Sequence, residues 1–497
     1  MQRLKKKGNA MKKRHILFIF FDQLRYDAIG AMGNPYIQTP ALDALANESV
    51  VFDRCFTPSP VCVPARLSML AGQYPARTGN SNNNPKLQYE GKGFYSAITE
   101  SGYDSCCVGK MHHIWNLLGD IGFKKRCTQE PLSNCDYYKF LQNSPYSNVF
   151  DYNGQRSEMY YVPQVCQLPA EYHPTNWIGD RSLDYLDGCD PENENCFLVS
   201  SIFHPHPPFS PPAPWNKLYR DYNGIPPYDP EGVDYDEIAP LLYDKFSTKR
   251  LGISELDLLR IRNFYYACVS FADLQVARII AKLKEKGMYD DTLIVVSSDH
   301  GEMLGDFRSV GKRSMYDGAA HIPFFIRVPG MAHEVRHDVC SLVDLAPTLL
   351  SWAGVDYDRS EYDGIDLFSG ERHSEVYSQY NSGKAGVYML ATDTEKLIKS
   401  NKAEKYYYYT DRSDAVDRFD TANPRVIELK EKLDKYIASD RCEPSADNPA
   451  VPGKGSPFGV KWKDDPYSYE RELARIPSPY RITLTQPKKV KKSDFLE

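Results

Sequence analysis

The sequence has no C-x-x-C pair, and its twelve cysteines (positions 55, 62, 106, 107, 127, 135, 166, 189, 196, 268, 340 and 442) lack zinc-like spacing. A structural zinc module is therefore excluded. No internal repeat is present, which excludes a solenoid or a propeller. No apolar run approaches the length needed to cross a bilayer, so no membrane partner is expected. Nor is there an excess of basic charge: a formal net charge of -6 over 497 residues argues against a dedicated nucleic-acid binder. Lys5, Lys6, Lys7, Lys12, Lys13 and Arg14 precede the apolar run Ile16 to Phe21. That run is too short for a secretory leader, ends at Asp22 and has no small-residue cleavage site. The expected location is a reducing cytoplasm, where scattered thiols stay unpaired. A secreted or periplasmic protein is the alternative if a leader has been removed.

What the chain does have is length for two domains, and an abundance of Tyr (36) and Pro (35) that indicates long ordered loops. The runs His15–Phe21, Cys196–Phe203 and Thr292–Ser297 are continuously apolar, the mark of strands covered on two faces of a parallel sheet. Gly102–Gly109, Val50–Phe56 and Ile322–Val328 read as further strands. Helices are expected over Pro40–Glu48, Asn176–Gly188, Leu256–Lys286 and Asp344–Ala353. Residues 120–175 read as an insertion of loops, and residues 210–250 as a Pro- and Tyr-rich loop. The implied fold is α/β: a large, mainly parallel mixed sheet with helices on both faces. After about Val376 shorter strands (Tyr388–Thr392, Glu395–Lys399, Tyr406–Thr410) and a helix at Pro424–Ser439 indicate a small antiparallel α+β subdomain. The expected organisation is a main domain over 14–375, the subdomain over 376–445 and an extended Pro/Lys-rich tail over 446–497, packed on the surface.

In open α/β sheets ligands bind beyond the carboxyl ends of the strands. Asp22, Lys110, His206 and Asp299 all fall at such ends. Asp22, Gln23, Asp299 and His300 together supply two carboxylates, an amide oxygen and an imidazole, enough for one divalent cation. Arg66, Lys110, His112, His206 and Lys312 add cationic donors and two histidines able to act as acid and base. Two carboxylates neutralise a divalent metal, so the remaining cations leave a positive pocket suited to an anionic ester. Cys62 opens a short helix (Pro64 in its first turn, Gly72 after its end), with Arg66 one turn along the same face. Taken singly, each of these residues has an ordinary structural use; their convergence on one sheet edge carries the argument.

The segment Cys62-Val63-Pro64-Ala65-Arg66 with Met69-Leu70-Ala71-Gly72 resembles the first signature of the type I sulfatases of the alkaline phosphatase superfamily. Gly102-Tyr103-x-Ser105-x-x-Val108-Gly109-Lys110-Met111-His112 is similar to their second. Ser298-Asp299-His300-Gly301-Glu302 and the Lys312…Tyr316…Ile322-Pro323 segment also fit. The likeness spans about residues 14 to 375, which would make that region the catalytic domain, and it implies that a maturation enzyme oxidises Cys62 to Cα-formylglycine. One hydroxyl of the aldehyde hydrate would attack sulfur and the other would then expel sulfate, a second step open to neither a thiol nor a serine. It further implies that the metal, most often calcium, is held with the modified Cys62. Arg66 would position the hydrate, and Lys110 and Lys312 would bind sulfate oxygens. His112 would be the base, and His206 with Lys312 the proton source for the leaving oxygen.

Three positions depart from the family pattern. Val63 replaces a small or hydroxylated residue, Gln23 replaces a second aspartate while His300 stands where asparagine is common, and His321 replaces an arginine. With one carboxylate fewer and one nitrogen ligand, manganese, magnesium or zinc also become admissible. The Asp22-Gln23 pair, Gly109-Lys110-Met111-His112 and His204-Pro205-His206 are also similar to choline sulfatases and to phosphonate monoester or phosphodiester hydrolases. Among sulfated small molecules and saccharides, a carbohydrate ester is the favoured substrate. Tyr137, Tyr138, Trp177, Trp215 and Tyr219 are candidate sugar platforms, with mutual packing of the loops as the alternative. Oligomeric state is left open.

Overall fold

The computed structural model describes residues 14–83, 91, 93–113, 120–130, 134–149, 151–154, 160–221 and 224–445. The amino-terminal lysines and the expected tail over 446–497 lie outside these residues. In chain order the strands are β1 (His15–Asp22), β2 (Val50–Phe52), β3 (Cys55–Phe56), β4 (Asp104–Gly109), β5 (Lys125–Thr128), β6 (Cys196–Pro205), β7 (Thr292–Ser298), β8 (Phe324–Arg327), β9 (Glu334–Arg336) and β10 (Cys340–Ser341). Eight of them form one sheet in the order β5-β4-β6-β1-β7-β8-β2-β9, and β3 pairs with β10 in a separate ribbon. Pairing is parallel from β5 to β7; β8 runs antiparallel to β7 and β2, and β2 is again parallel to β9.

β1 lies between β6 and β7 and every one of its residues is buried. Leu17, Ile19 and Phe21 join the core on one face, and Ile16, Phe18 and Phe20 the core on the other. This is the two-residue period of a strand covered twice, with about 2 kcal/mol of burial free energy available per large side chain. The helix Glu255–Glu285 covers the first face, started by a capping box between Ser254 and Asp257. By length and apolar content it alone among the described helices could cross a membrane, yet Ala267, Val269, Ala272 and Val276 are buried in the core.

Two differences from the sequence reading have physical causes. Residues 120–175 are not only loops: Lys125–Thr128 adds the edge strand β5, whose polar Lys-Arg-Cys-Thr sequence carries no apolar signal. Val50–Phe56 is not one strand. The chain breaks at Asp53, whose carboxylate meets His337 (2.8 Å) and Arg412 (3.1 Å), and β3 then pairs with β10 instead.

Beyond these, β11 (Val376–Tyr380), β12 (Val387–Ala391), β13 (Lys396–Ser400) and β14 (Lys405–Tyr409) form an antiparallel sheet in sequence order. The helix Pro424–Ala438 packs on it through Val426, Leu429 and Leu433. The small sheet is bolted to the main one: the Gln379 N–H donates to the Pro58 carbonyl at 3.0 Å, and buried Lys396 bridges Asp317 (2.5 Å) to Asp414.

Candidate active site

Asp22, Gly109, Pro205 and Ser298 end four adjacent strands of the main sheet, β1, β4, β6 and β7. The sheet thus delivers Asp22 and Gln23, Lys110 and His112, His206, and Asp299 and His300 to one edge. Gly109 makes this delivery possible at β4. Its φ is +101°, and a Cβ there would lie 2.0 Å from the Ser201 carbonyl oxygen. A second element, the helix Cys62–Ala71, brings Cys62 at its first position and ends at Gly72 in the left-handed conformation, as its sequence indicates.

Donor atoms of Asp22, Cys62, Asp299 and His300 all lie within 4.8 Å of one another, and all four residues are buried. The Cys62 Sγ stands 3.2 Å from His300 Nε2 and 4.0 Å from Asp22 Oδ1. The Lys312 Nζ donates to Cys62 Sγ at 2.9 Å and to His300 Nε2 at 3.1 Å. Burial and Asp22 push the thiol pKa up, but the cations beside it, Lys312 and Lys110 foremost, outweigh them and hold it below its ordinary value. Burial likewise raises Asp22, and Lys110, His206, Arg66 and Lys312 bring it well below the usual carboxylate range.

Arg66 is wholly buried between the two aspartates. Its Nε meets Asp299 Oδ2 at 2.8 Å and its Nη2 meets Asp22 Oδ2 at 3.2 Å. The remaining Nη1 donates to the carbonyls of Lys110 and Met111 and to Ser201 Oγ at 3.2–3.3 Å. Each of its three nitrogens therefore has an acceptor within the protein, and the ring of Phe20 lies 4.6 Å beneath it. The Lys110 Nζ reaches Asp22 Oδ2 at 2.5 Å.

A divalent cation fits this set. The His300 Nδ1–H donates to the Gly301 carbonyl at 2.9 Å, which leaves the Nε2 lone pair facing Cys62 and Asp299. Gln23 takes a left-handed φ of +71°, held by its N–H on Asp299 Oδ1 (3.0 Å) and by the Tyr265 hydroxyl on its carbonyl (2.8 Å). The Gln23 Nε2 donates to Glu302, so the amide oxygen is oriented away from that carboxylate. This oxygen is buried with no hydrogen-bond partner among the described residues. Gln23 directly follows Asp22 in the chain, and a buried amide oxygen without a partner is a donor that a metal would satisfy.

Burial first, then Lys110 and Arg66, push His112 well below the ordinary histidine value, so its imidazole is neutral at neutral pH. His206 is buried, with its Nδ1 2.6 Å from the Pro207 carbonyl and its Nε2 3.5 Å from the Tyr160 hydroxyl. All ten residues picked from the sequence are thus found around this edge.

Others were not legible. Glu130, fully buried, accepts the backbone N–H groups of Met111 (2.7 Å) and His112 (3.2 Å) and so fixes the His112 backbone, whose φ is +46°. Burial pushes its pKa up to about 7, against the pull of Lys110 and these N–H groups. Lying in a segment with weak periodicity, it had no sequence signal. Glu302 had one, its place in Ser298–Glu302; it accepts from the N–H groups of Leu304 and Gly311 and from Gln23. His321 lies apart from the cluster. It stacks on Tyr26 and meets the Asp53 carbonyl, where burial pushes its pKa down to about 4.

The aromatic platforms are corrected by the structure. Tyr137, Trp177 and Tyr219 are buried in the core, where Tyr137 packs edge-on against Trp177. Tyr138 packs on the same core, and Trp215 packs against Phe271 of the long helix. Packing of the loops has claimed these rings.

The sequence model of the Sulfatase family matches residues 14–355. The chain is 27% identical over 456 residues to an arylsulfatase of Clostridium perfringens, covering 85% of this chain and 92% of that protein. It is 30% identical over 370 residues to an ulvan-active sulfatase of Formosa agariphila, covering 73% of this chain and 65% of that one. Among solved structures, a phosphonate monoester hydrolase of Agrobacterium radiobacter superposes with a TM-score of 0.73 at 22% identity, covering 86% of this chain and 96% of its own.

Proposed function

The chain belongs to the sulfatase family, and on that premise we propose that it hydrolyses sulfate monoesters of carbohydrates using formylglycine made from Cys62 by a maturation enzyme. A sulfuric ester hydrolase needs a nucleophile, a charge sink for the sulfate oxygens, a base and a proton donor. The observation that carries the reading is the crowding of Asp22, His300 and Lys312 around one buried sulfur. Asp22, Gln23, Asp299 and His300 would hold a divalent cation, which supplies electrostatic stabilisation of the nucleophile and the sulfate oxygens.

The work of the chain's own residues follows from their contacts. Lys110 and Lys312 bind sulfate oxygens, as charge-assisted donors already aimed at the site. Arg66 acts at one remove: it locks Asp22 and Asp299 at a fixed separation. His112, neutral by burial, accepts the proton whose loss releases sulfate. His206 and Lys312 protonate the leaving oxygen. Calcium is the ion expected from the family, and the imidazole and amide donors admit manganese, magnesium or zinc. The carbohydrate assignment is supported by the ulvan-active relative.

A second reading, a phosphonate monoester or phosphodiester hydrolase or a choline sulfatase, is favoured by one observation: Gln23 stands where a carboxylate would add negative charge. Turnover of p-nitrophenyl sulfate and of a p-nitrophenyl phosphonate monoester at equal enzyme separates the two. Faster sulfate turnover is expected, and a preference for the phosphonate overturns the sulfatase assignment. A panel of sulfated mono- and disaccharides against choline sulfate tests the carbohydrate part.

A further inference from the structure

Glu302 lies two residues after His300, is fully buried, and has donors on both of its oxygens. Oε1 accepts the Leu304 N–H at 3.0 Å and also the Gly311 N–H, whereas Oε2 accepts from Gln23 Nε2. Its main chain is fixed as well: the Glu302 N–H donates to the Gly318 carbonyl at 2.7 Å, and Arg25 Nη1 donates to the Glu302 carbonyl at 2.9 Å. Gln23 is held just as firmly. Its φ is +71°, its N–H donates to Asp299 Oδ1 at 3.0 Å and its carbonyl accepts the Tyr265 hydroxyl at 2.8 Å. A residue other than glycine is kept in the left-handed region only where its surroundings over-determine it.

The two ends of an amide have nearly the same shape and opposite chemistry. The oxygen accepts hydrogen bonds or ligates a cation; the NH2 group only donates. Which way the amide turns is decided by its neighbours. Here the neighbour is a carboxylate, an acceptor that already takes two backbone N–H groups on its other oxygen. It demands the NH2 end of Gln23. The amide oxygen is what remains, buried and without a hydrogen-bond partner among the described residues.

We propose that Glu302 is a positioning residue that makes Gln23 a metal ligand: by holding the amide nitrogen it leaves only the oxygen to offer to a cation on Asp22, Asp299 and His300. The negative charge that position 23 lacks is thus carried behind the amide by Glu302. The proposal rests on the metal part of the reading above. The same carboxylate fixes the Gly311 N–H, directly before Lys312, so a substitution that tests the amide has to keep an oxygen at that point.

Calcium, manganese, magnesium and zinc are each titrated calorimetrically into the metal-free protein, and the tightest binder is used throughout. Glu302→Gln keeps an oxygen for the Leu304 and Gly311 N–H groups, so its own NH2 turns toward Gln23. The Gln23 amide then reverses and presents NH2 to the cation, and affinity is expected to fall about tenfold or more. Adding Gln23→Glu to that variant supplies one oxygen to accept the new NH2 and another for the cation, which restores binding. Loss of the Glu302 charge alone would also weaken binding, and a cycle with Gln23→Met, which has no amide to turn, separates the two effects. In that background Glu302→Gln is expected to change affinity by no more than about twofold. Melting curves of the metal-free proteins check folding, and Gln23→Leu replaces Gln23→Met if the latter does not fold. An equal penalty in both backgrounds, or Glu302→Gln protein that binds as the parent does, overturns the positioning role and leaves the metal reading standing. A parent that takes up none of the four cations overturns the metal reading and the proposal with it.

Discussion

Replacing Arg66 by alanine strips the one guanidinium among the described residues that touches Asp22 and Asp299 together. Asp22 keeps a cation, since the Lys110 Nζ is 2.5 Å from its Oδ2. Asp299 loses the 2.8 Å contact on its Oδ2 and retains on Oδ1 the N–H groups of Gln23 and His300. Removing one partner of a buried ion pair costs about 3–5 kcal/mol, because the other charge stays desolvated. The carbonyls of Lys110 and Met111 lose a shared donor as well. Urea unfolding at pH 7 should therefore show a loss in that range, with an unchanged slope against denaturant. Arg66→Lys should lose less, because a positive charge remains between the aspartates, but not nothing, because an ammonium cannot span both carboxylates and the carbonyls. Asp22's folded pKa is depressed, so its contribution is present above the ordinary carboxylate range and is lost as pH falls through the folded value. Without Arg66 that folded value rises and the loss begins at higher pH. A penalty below about 1 kcal/mol that does not vary between neutral and acidic pH would refute the bracing role.

Three further outcomes are expected. Gly109→Ala sets a Cβ against the Ser201 carbonyl in a left-handed backbone; a loss of about 3 kcal/mol or more and of sulfate-ester turnover is expected, and a stable, active variant would count against the close approach. Glu130 has a folded pKa of about 7 against an ordinary 4.5, so its ionisation weakens the fold as pH rises between those values. Glu130→Gln keeps the acceptor and should gain up to about 3 kcal/mol relative to the parent between pH 4 and pH 8, read from melting curves. A divalent cation should raise the Tm of the parent and a chelator should lower it; Asp299→Asn should blunt the shift, and an unshifted parent across calcium, manganese, magnesium and zinc would argue against the metal site.

Much of this was readable from the chain because a strand covered on both faces must be apolar at every position. His15–Asp22, Cys196–Pro205 and Thr292–Ser298 announce themselves in that way, and the residues that follow them are placed by the sheet. β5 was silent for the opposite reason: Lys125–Thr128 lies at a sheet edge, where polar side chains meet solvent, and leaves no periodic trace, and Glu130, though buried, follows it in the same weakly periodic segment. Pro323 explains a smaller difference, since it has no N–H to give a neighbour and β8 begins only at Phe324. The tyrosine platforms failed because composition counts rings without saying which are needed to fill the core. Arg66 shows the limit of a motif: its spacing put it beside Cys62, but only the contacts show that it braces two aspartates and two carbonyls.

The burial of Cys62 also bears on the order of events in the life of the chain. No part of this side chain meets solvent, and the residues from Val61 to Ala71 are buried along with it. If a maturation enzyme acts on Cys62, reaching it in the folded chain would mean withdrawing the helix from the sheet and breaking both Arg66 ion pairs. On the proposed reading, chemistry on this thiol would compete with folding for the same stretch of chain. A sequence that folded faster than it could be read would be stranded as an intact but idle thiol, so slow collapse around this helix would be an asset.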